Sequence, residues 1–118
     1  MKYFTEDELK CSHCGYNMMK ADFMDRVIEL RRALDFPFVV TSAYRCPVHN
    51  SNVSSTGATG PHTTGRAIDI GVSRERAYEL IKLAIMSGFT GIGVNQKGNG
   101  RFIHLDDLIN GRPTVWSY

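Results

Sequence analysis

At 118 residues the chain is long enough to bury one hydrophobic core and too short for two. Its 42% apolar and 22% charged residues are ordinary for a globular domain. A formal net charge of +2 excludes a nucleic-acid binder driven by electrostatics and still suits an anionic polymer.

The opening, MKYFTEDELKCSHCG, has no apolar core of signal-peptide type. No run of about 18 apolar residues occurs further on, so membrane insertion is not expected. Cys11, Cys14 and Cys46 are an odd set that cannot all pair within the chain, which points to synthesis in a reducing compartment without export. In ADFMDRVIELRRALDF, apolar residues recur at 23, 27, 30 and 34, with 24 and 28 widening the stripe. That period predicts a helix, with Asp22 as N-cap and Pro37 closing the segment. FPFVVTSAY then reads as a buried strand. Residues 45–65 are rich in Ser, Thr, Gly, Asn and Pro and read as a long ordered loop, with room for a helical turn after Pro47. Loops of that length inside a compact domain are functional or disordered, and flanking hydrophobic strands favour function.

RAIDIGV is the next expected strand. Ser73 is placed to cap a second amphipathic helix, RERAYELIKLAIMSGF, ending near Gly88. TGIGVNQ, the turn KGNG and RFIHLDD read as a β-hairpin. The expected fold is therefore a single α+β domain over residues 1–118, a largely antiparallel sheet flanked by helices.

Strand alternation sorts the polar residues. Asp69 shares a face with Ala67, opposite Ile68 and Ile70, and His104 shares a face with Asp106, opposite Ile103 and Leu105. If the two strands are neighbours, Asp69 and His104 converge, and His62 in the preceding loop can join them. Two imidazoles and a carboxylate leave a fourth position for water on Zn²⁺, as catalytic zinc sites do. The spacing alone equally allows a solvated His62 and an Asp69 that caps a turn.

The succession TSAYR, PHTTGRAIDI, GIGV and FIHLDD resembles the zinc D-Ala-D-Ala carboxypeptidase and L-alanyl-D-glutamate endopeptidase family. That family includes many phage endolysins and shares its fold with the zinc domain of Hedgehog. The motifs SxYR, HxxGxAxD and HxD occur in its order, and the likeness runs from about Phe4 to Trp116. It implies His62, Asp69 and His104 as zinc ligands and Arg45 as a clamp for a substrate carboxylate, a task suited to a planar guanidinium. Ser42 and Tyr44 are candidates to shape the cleft, and Gly65 and Ala67 to let the backbone pass close. Trp116 either stacks on substrate or packs the end of the chain.

The chain also departs from the family. Pro61 stands where many relatives have serine. Arg101 stands three residues before the last ligand, where several branches carry the acidic catalytic residue. Asp106 is then the best candidate for a general base, or else a residue orienting His104, with Asp107 the next candidate.

Cys11-x2-Cys14 and Cys46-x2-His49 match a closed Cys₃His zinc site. A disulfide from Cys46 to Cys11 or Cys14, or three free thiols, fits the same residues. A zinc ribbon for nucleic acid lacks the basic, aromatic-studded surface it would need. By resemblance the expected activity is zinc-dependent hydrolysis of peptidoglycan stem peptides. The protein would be a monomeric endolysin made in the host cytoplasm and reaching the wall once the membrane is opened. L-Ala–D-Glu endopeptidase, D-Ala carboxypeptidase and D,D-endopeptidase activities would share these ligands. The alternative is a zinc-containing wall-binding module without turnover.

Overall fold

The computed structural model describes residues 3–118. In chain order the elements are α1 (Glu6–Leu9), α2 (Ala21–Leu34), β1 (Val39–Ser42), α3 (Pro47–Val53), β2 (Ala67–Gly71), α4 (Arg74–Met86), β3 (Gly91–Asn95), β4 (Phe102–Asp106) and β5 (Thr114–Ser117). Two 3₁₀ turns, Gly57–Thr59 and Pro61–Thr64, lie between α3 and β2. The strands form one sheet in the order β1-β2-β4-β3-β5, antiparallel except for the parallel β3–β5 pair. The α+β expectation holds.

The helical stripes go where their period sends them. Helix α2 buries Phe23, Met24, Val27 and Leu30, and α4 buries Ala77, Leu80 and Ala84. These residues share one core with the apolar sheet residues Ile68, Ile70, Ile92, Ile103 and Leu105. Each of the Phe, Met, Val, Leu and Ile side chains among them contributes about 1.5–3 kcal/mol through its burial. The expected caps are different. Helix α2 starts from Lys20, and Asp22 lies inside its first turn, paired with Arg66 at 2.7 Å. Ser73 has N-cap backbone geometry but makes no capping hydrogen bond.

The loop expected over 45–65 is more regular than its composition suggests. Pro47, at the first position of α3, has the φ a helix start needs and lacks only an amide that would be unpaired there. Cys46 caps that helix through its sulfur, which accepts from the amide of His49. The strand β5 falls in RPTVWSY, too short and too mixed to show a period.

One face of the sheet carries the apolar core. The other carries a single row across all five strands, set by the register: Ser42 beside Asp69, Asp69 beside His104, His104 beside Gly93, and Gly93 beside Trp116. A second row holds Ala67, Asp106, Gly91 and Thr114. The small residues leave space for the large ones. A Cβ on Gly93 would sit 2.8 Å from the Trp116 ring and 2.9 Å from the Cβ of His104, and one on Gly91 would overlap the Asp106 carboxylate. Gly91→Ala is therefore expected to destabilise the fold by about 1–3 kcal/mol, as overpacking does. Gly100→Ala, whose methyl would meet nothing, is the control, and chemical denaturation of both variants measures the difference.

Candidate metal centre

His62 lies in the 3₁₀ turn Pro61–Thr64, which ends at Gly65. Gly65 is needed there twice over: its φ is +75°, and a side chain would strike the backbone of Met18. The turn drops the imidazole onto the polar face of β2. Its Nδ1–H donates to the carbonyl of Ala43 at 2.7 Å, which leaves Nε2 turned toward Asp69 Oδ1, 3.2 Å away. From the neighbouring strand, His104 Nε2–H donates to Asp106 Oδ2 at 2.7 Å, and its Nδ1 faces the same Asp69 oxygen at 3.0 Å. Two imidazole nitrogens and one carboxylate oxygen thus lie within 4.8 Å of one another, on three buried residues.

Electron-rich atoms converging at one buried point require positive charge, either an added proton or a cation. The donor set and spacing fit zinc, with two histidines already oriented through their opposite nitrogens, as metal-bound imidazoles are. Burial alone would raise the pKa of Asp69, but hydrogen bonds from His104 and His62 outweigh it and hold the value at about 2. Burial opposes a charged His104, yet the carboxylates of Asp106 and Asp69 keep its pKa above the ordinary value.

Asp106 sits behind His104. Burial pushes its pKa up, but the guanidinium of Arg112 and the ring of His104 bring it down to about 2. Arg112 donates Nε to Oδ1 at 2.9 Å and Nη2 to Oδ2 at 2.8 Å, and the Leu108 amide reaches Oδ1 at 3.3 Å. The carboxylate is fully buried. Asp107 is engaged elsewhere, between Arg66 and Arg26.

The three converging residues face a cavity of about 650 Å³ bordered by Arg45, Phe102, Arg112, Trp116 and Tyr118. A second cavity of about 800 Å³ shares Arg45, Asp69 and Phe102 with it and adds Ser42, Arg74 and Arg101. Together they form one groove with Asp69 at the junction. Among the described lining residues Asp69 is the only acidic side chain, against four arginines: Arg45, Arg74, Arg101 and Arg112. Arg45 directs Nη2 to within 3.8 Å of Asp69 Oδ2 and is steadied by Nη1 donating to Asn50 Oδ1 at 3.1 Å.

The structure brings together His62, Asp69, His104, Arg45, Ser42 and Trp116. The Trp116 ring lies 5.0 Å from that of His104. Tyr44 is placed differently from its expected position in the cleft. It lines neither lobe of the groove but borders an adjoining cleft with Glu8, Lys10 and His49, which shares Thr41, Ser42 and Arg45 with the groove. Two contributors went unseen in the sequence. Arg112 holds Asp106 and lies 5.0 Å above the Trp116 ring. Asn50, fully buried, binds Arg45 on one side and, through Nδ2, Thr56 Oγ1 at 2.8 Å and the Gly57 carbonyl on the other. The only sequence signal for Asn50 was a polar residue in a helix that must pack one face.

An aspartate and a histidine on neighbouring strands, joined by a second histidine from a 3₁₀ turn beneath an open groove, make a metallohydrolase-type centre. Residues 2–106 match the family described as Peptidase M15, and the chain belongs to that family of zinc-dependent peptidases. No curated protein matches the chain.

Protonation should read out the centre. Asp69 and Asp106 have folded pKa values of about 2, below the ordinary 3.8, so their contribution to stability is present above about pH 4 and lost as pH falls toward 2. His104 is shifted up from 6.5, so its contribution is complete below that value and fades as pH rises through the folded one. Metal-free protein is thus expected to be most stable between about pH 4 and 6.5. Added zinc should stabilise it increasingly above that window, because binding needs deprotonated ligands. Thermal melts across pH with chelator or zinc check both limbs.

Proposed function

We propose that this chain is a zinc metallopeptidase that hydrolyses peptide bonds in peptidoglycan stem peptides, in the manner of phage endolysins acting on a wall reached after the membrane opens. The observation that supports it best is the position of His62, Asp69 and His104 at the junction of an arginine-bordered groove. Stem peptides are extended and rich in carboxylates, and such a groove complements both properties.

His62 Nε2, Asp69 and His104 Nδ1 would hold the metal. Zinc bound there supplies Lewis acidity, polarising a carbonyl and lowering the pKa of its water to about 7. The Ala43 carbonyl and the Asp106 carboxylate fix the two rings so that the correct nitrogens face inward. Arg45 offers a substrate carboxylate a planar fork beside the reacting bond, and Arg101 and Arg74 extend that charge along the neighbouring lobe. Trp116 and Tyr118 wall the opposite lobe and limit water there. Asp106, with both oxygens bonded inside the fold, suits the orienting role better than that of a base facing substrate. Arg101 in place of an acid favours the second reading, a wall-binding module without turnover.

Digestion of purified muropeptides by the zinc-loaded protein, read by mass spectrometry, decides between them. New stem-peptide fragments that disappear with His62→Ala are expected, and their masses identify the bond. Intact muropeptides in the presence of bound zinc would overturn the enzyme reading and favour the binding module. Arg45→Lys keeps the charge but loses the fork, so kcat/KM should fall about 10–100-fold, mainly through KM. Asp106→Asn should weaken zinc about 10–100-fold in an equilibrium titration, whereas a base acting on substrate alone would leave zinc affinity unchanged.

A further inference from the structure

The second cluster of ligand-type residues lies outside the groove. The sulfurs of Cys11, Cys14 and Cys46 are within 4.8 Å of one another although the third comes from a distant part of the chain. All three are free thiols. We propose that they bind a second zinc ion, a closed structural site in which His13 is the fourth ligand.

The local backbone is built for such a site. Residues 11–16 make a tight turn: the Gly15 amide donates to the Cys11 carbonyl at 2.9 Å, and the Cys11 amide to the Tyr16 carbonyl at 2.8 Å. Gly15 has a φ of +78°, the left-handed conformation that lets the chain reverse directly after Cys14. The reversal aims both sulfurs of Cys-x-x-Cys to one side. The Cys11 sulfur is buried and faces the backbone N–H groups of Cys46, Cys14 and His13, the first at 3.3 Å. Cys46 Sγ accepts from the His49 amide at 3.4 Å, and Cys14 faces the Tyr16 amide. Amides gathered around the Cys11 and Cys46 sulfurs favour thiolates, the form that binds metal, whereas at Cys14 burial and the two neighbouring sulfurs oppose it.

The spacing is close to what zinc needs. Zn–S bonds of about 2.3 Å put tetrahedral sulfurs about 3.8 Å apart, so the three sulfurs need to draw in by no more than about 1 Å. The sequence pattern pointed to His49 as the fourth ligand, but its Nε2 contacts Ser12 Oγ at 3.2 Å. His13 is nearer, with Nδ1 3.4 Å from Cys46 Sγ and the His49 ring stacked on it at 5.8 Å; it stands outside the cluster of the three sulfurs and must swing inward to complete the site. A metal here would staple residues 11–14 to the start of α3. Cys46 adjoins Arg45, whose amide donates to the His62 carbonyl at 3.2 Å, so the staple would brace the groove from behind. None of these ligands belongs to the peptidase centre, and either proposal can fail without the other.

The test uses cobalt(II) as the probe on protein purified under reducing conditions. His62→Ala with His104→Ala should still bind an equivalent of cobalt and show intense near-ultraviolet thiolate-to-metal charge-transfer bands. Cys14→Ser should lose those bands and keep the equivalent bound at the histidines. Because Cys14→Ser could unfold, alkylation of folded wild type provides an independent readout: zinc should protect three thiols, and a chelator should release them. Rapid alkylation of all three in zinc-loaded protein would overturn the proposal. So would a disulfide in the intact mass, or absent charge-transfer bands. His13→Ala should weaken cobalt binding more than His49→Ala, and the reverse order would overturn the assignment of the fourth ligand.

Discussion

The centre depends on the pairing of β2 with β4, which sets Asp69 directly beside His104. A slip of one residue would turn Asp69 into the helical core and Ile68 or Ile70 into the groove. What prevents the slip is the apolar half of the same strands: Ile68, Ile70, Ile103 and Leu105 are all fully buried beneath the helices. The hydrophobic face thereby fixes the polar face, and the ligands inherit a precision that no loop could supply. Only His62 arrives from irregular chain, and its ring is tied by the Ala43 carbonyl.

Burying this much charge is costly unless each group is answered. Removing ions from water costs several kcal/mol apiece, and replacing such clusters by apolar residues often stabilises a protein. Here Arg112 answers Asp106, Asp106 answers His104, and Asp69 lies between two imidazoles with Arg45 nearby. Among the described residues no buried side-chain polar atom lacks a partner. A chain selected for stability alone would have no reason to keep this series, whereas one that must present two oriented imidazoles to a cation does.

Much of this was legible from strand alternation. Putting Asp69 and His104 on the polar faces of their strands needed only the period of two, and the two long helices followed from the period of their apolar residues. Other features were not legible because their causes are not local. Asp22 looks like a cap in sequence, but Arg66, just before β2, pairs with its carboxylate. Strand β5 has only four residues and exists because β3 offers a free edge. Arg112 and Asn50 act through partners that only the fold brings within reach. Tyr44 lies in a recognisable motif, yet its side chain borders the cleft adjoining the groove rather than the groove itself. The roles of Gly91 and Gly93 could be seen only once their cross-strand neighbours were known.

The place of β5 at the margin of the sheet has a kinetic consequence. Trp116, which covers the His104 ring, rides on a four-residue strand bonded to one neighbour. Marginal strands open by local fluctuations that cost far less than global unfolding. Fraying of this strand would uncover the His104 ring on the Trp116 side, while the buried rows beneath stay closed. A covered His104 ring and an open groove thus become opposing demands on the same few hydrogen bonds.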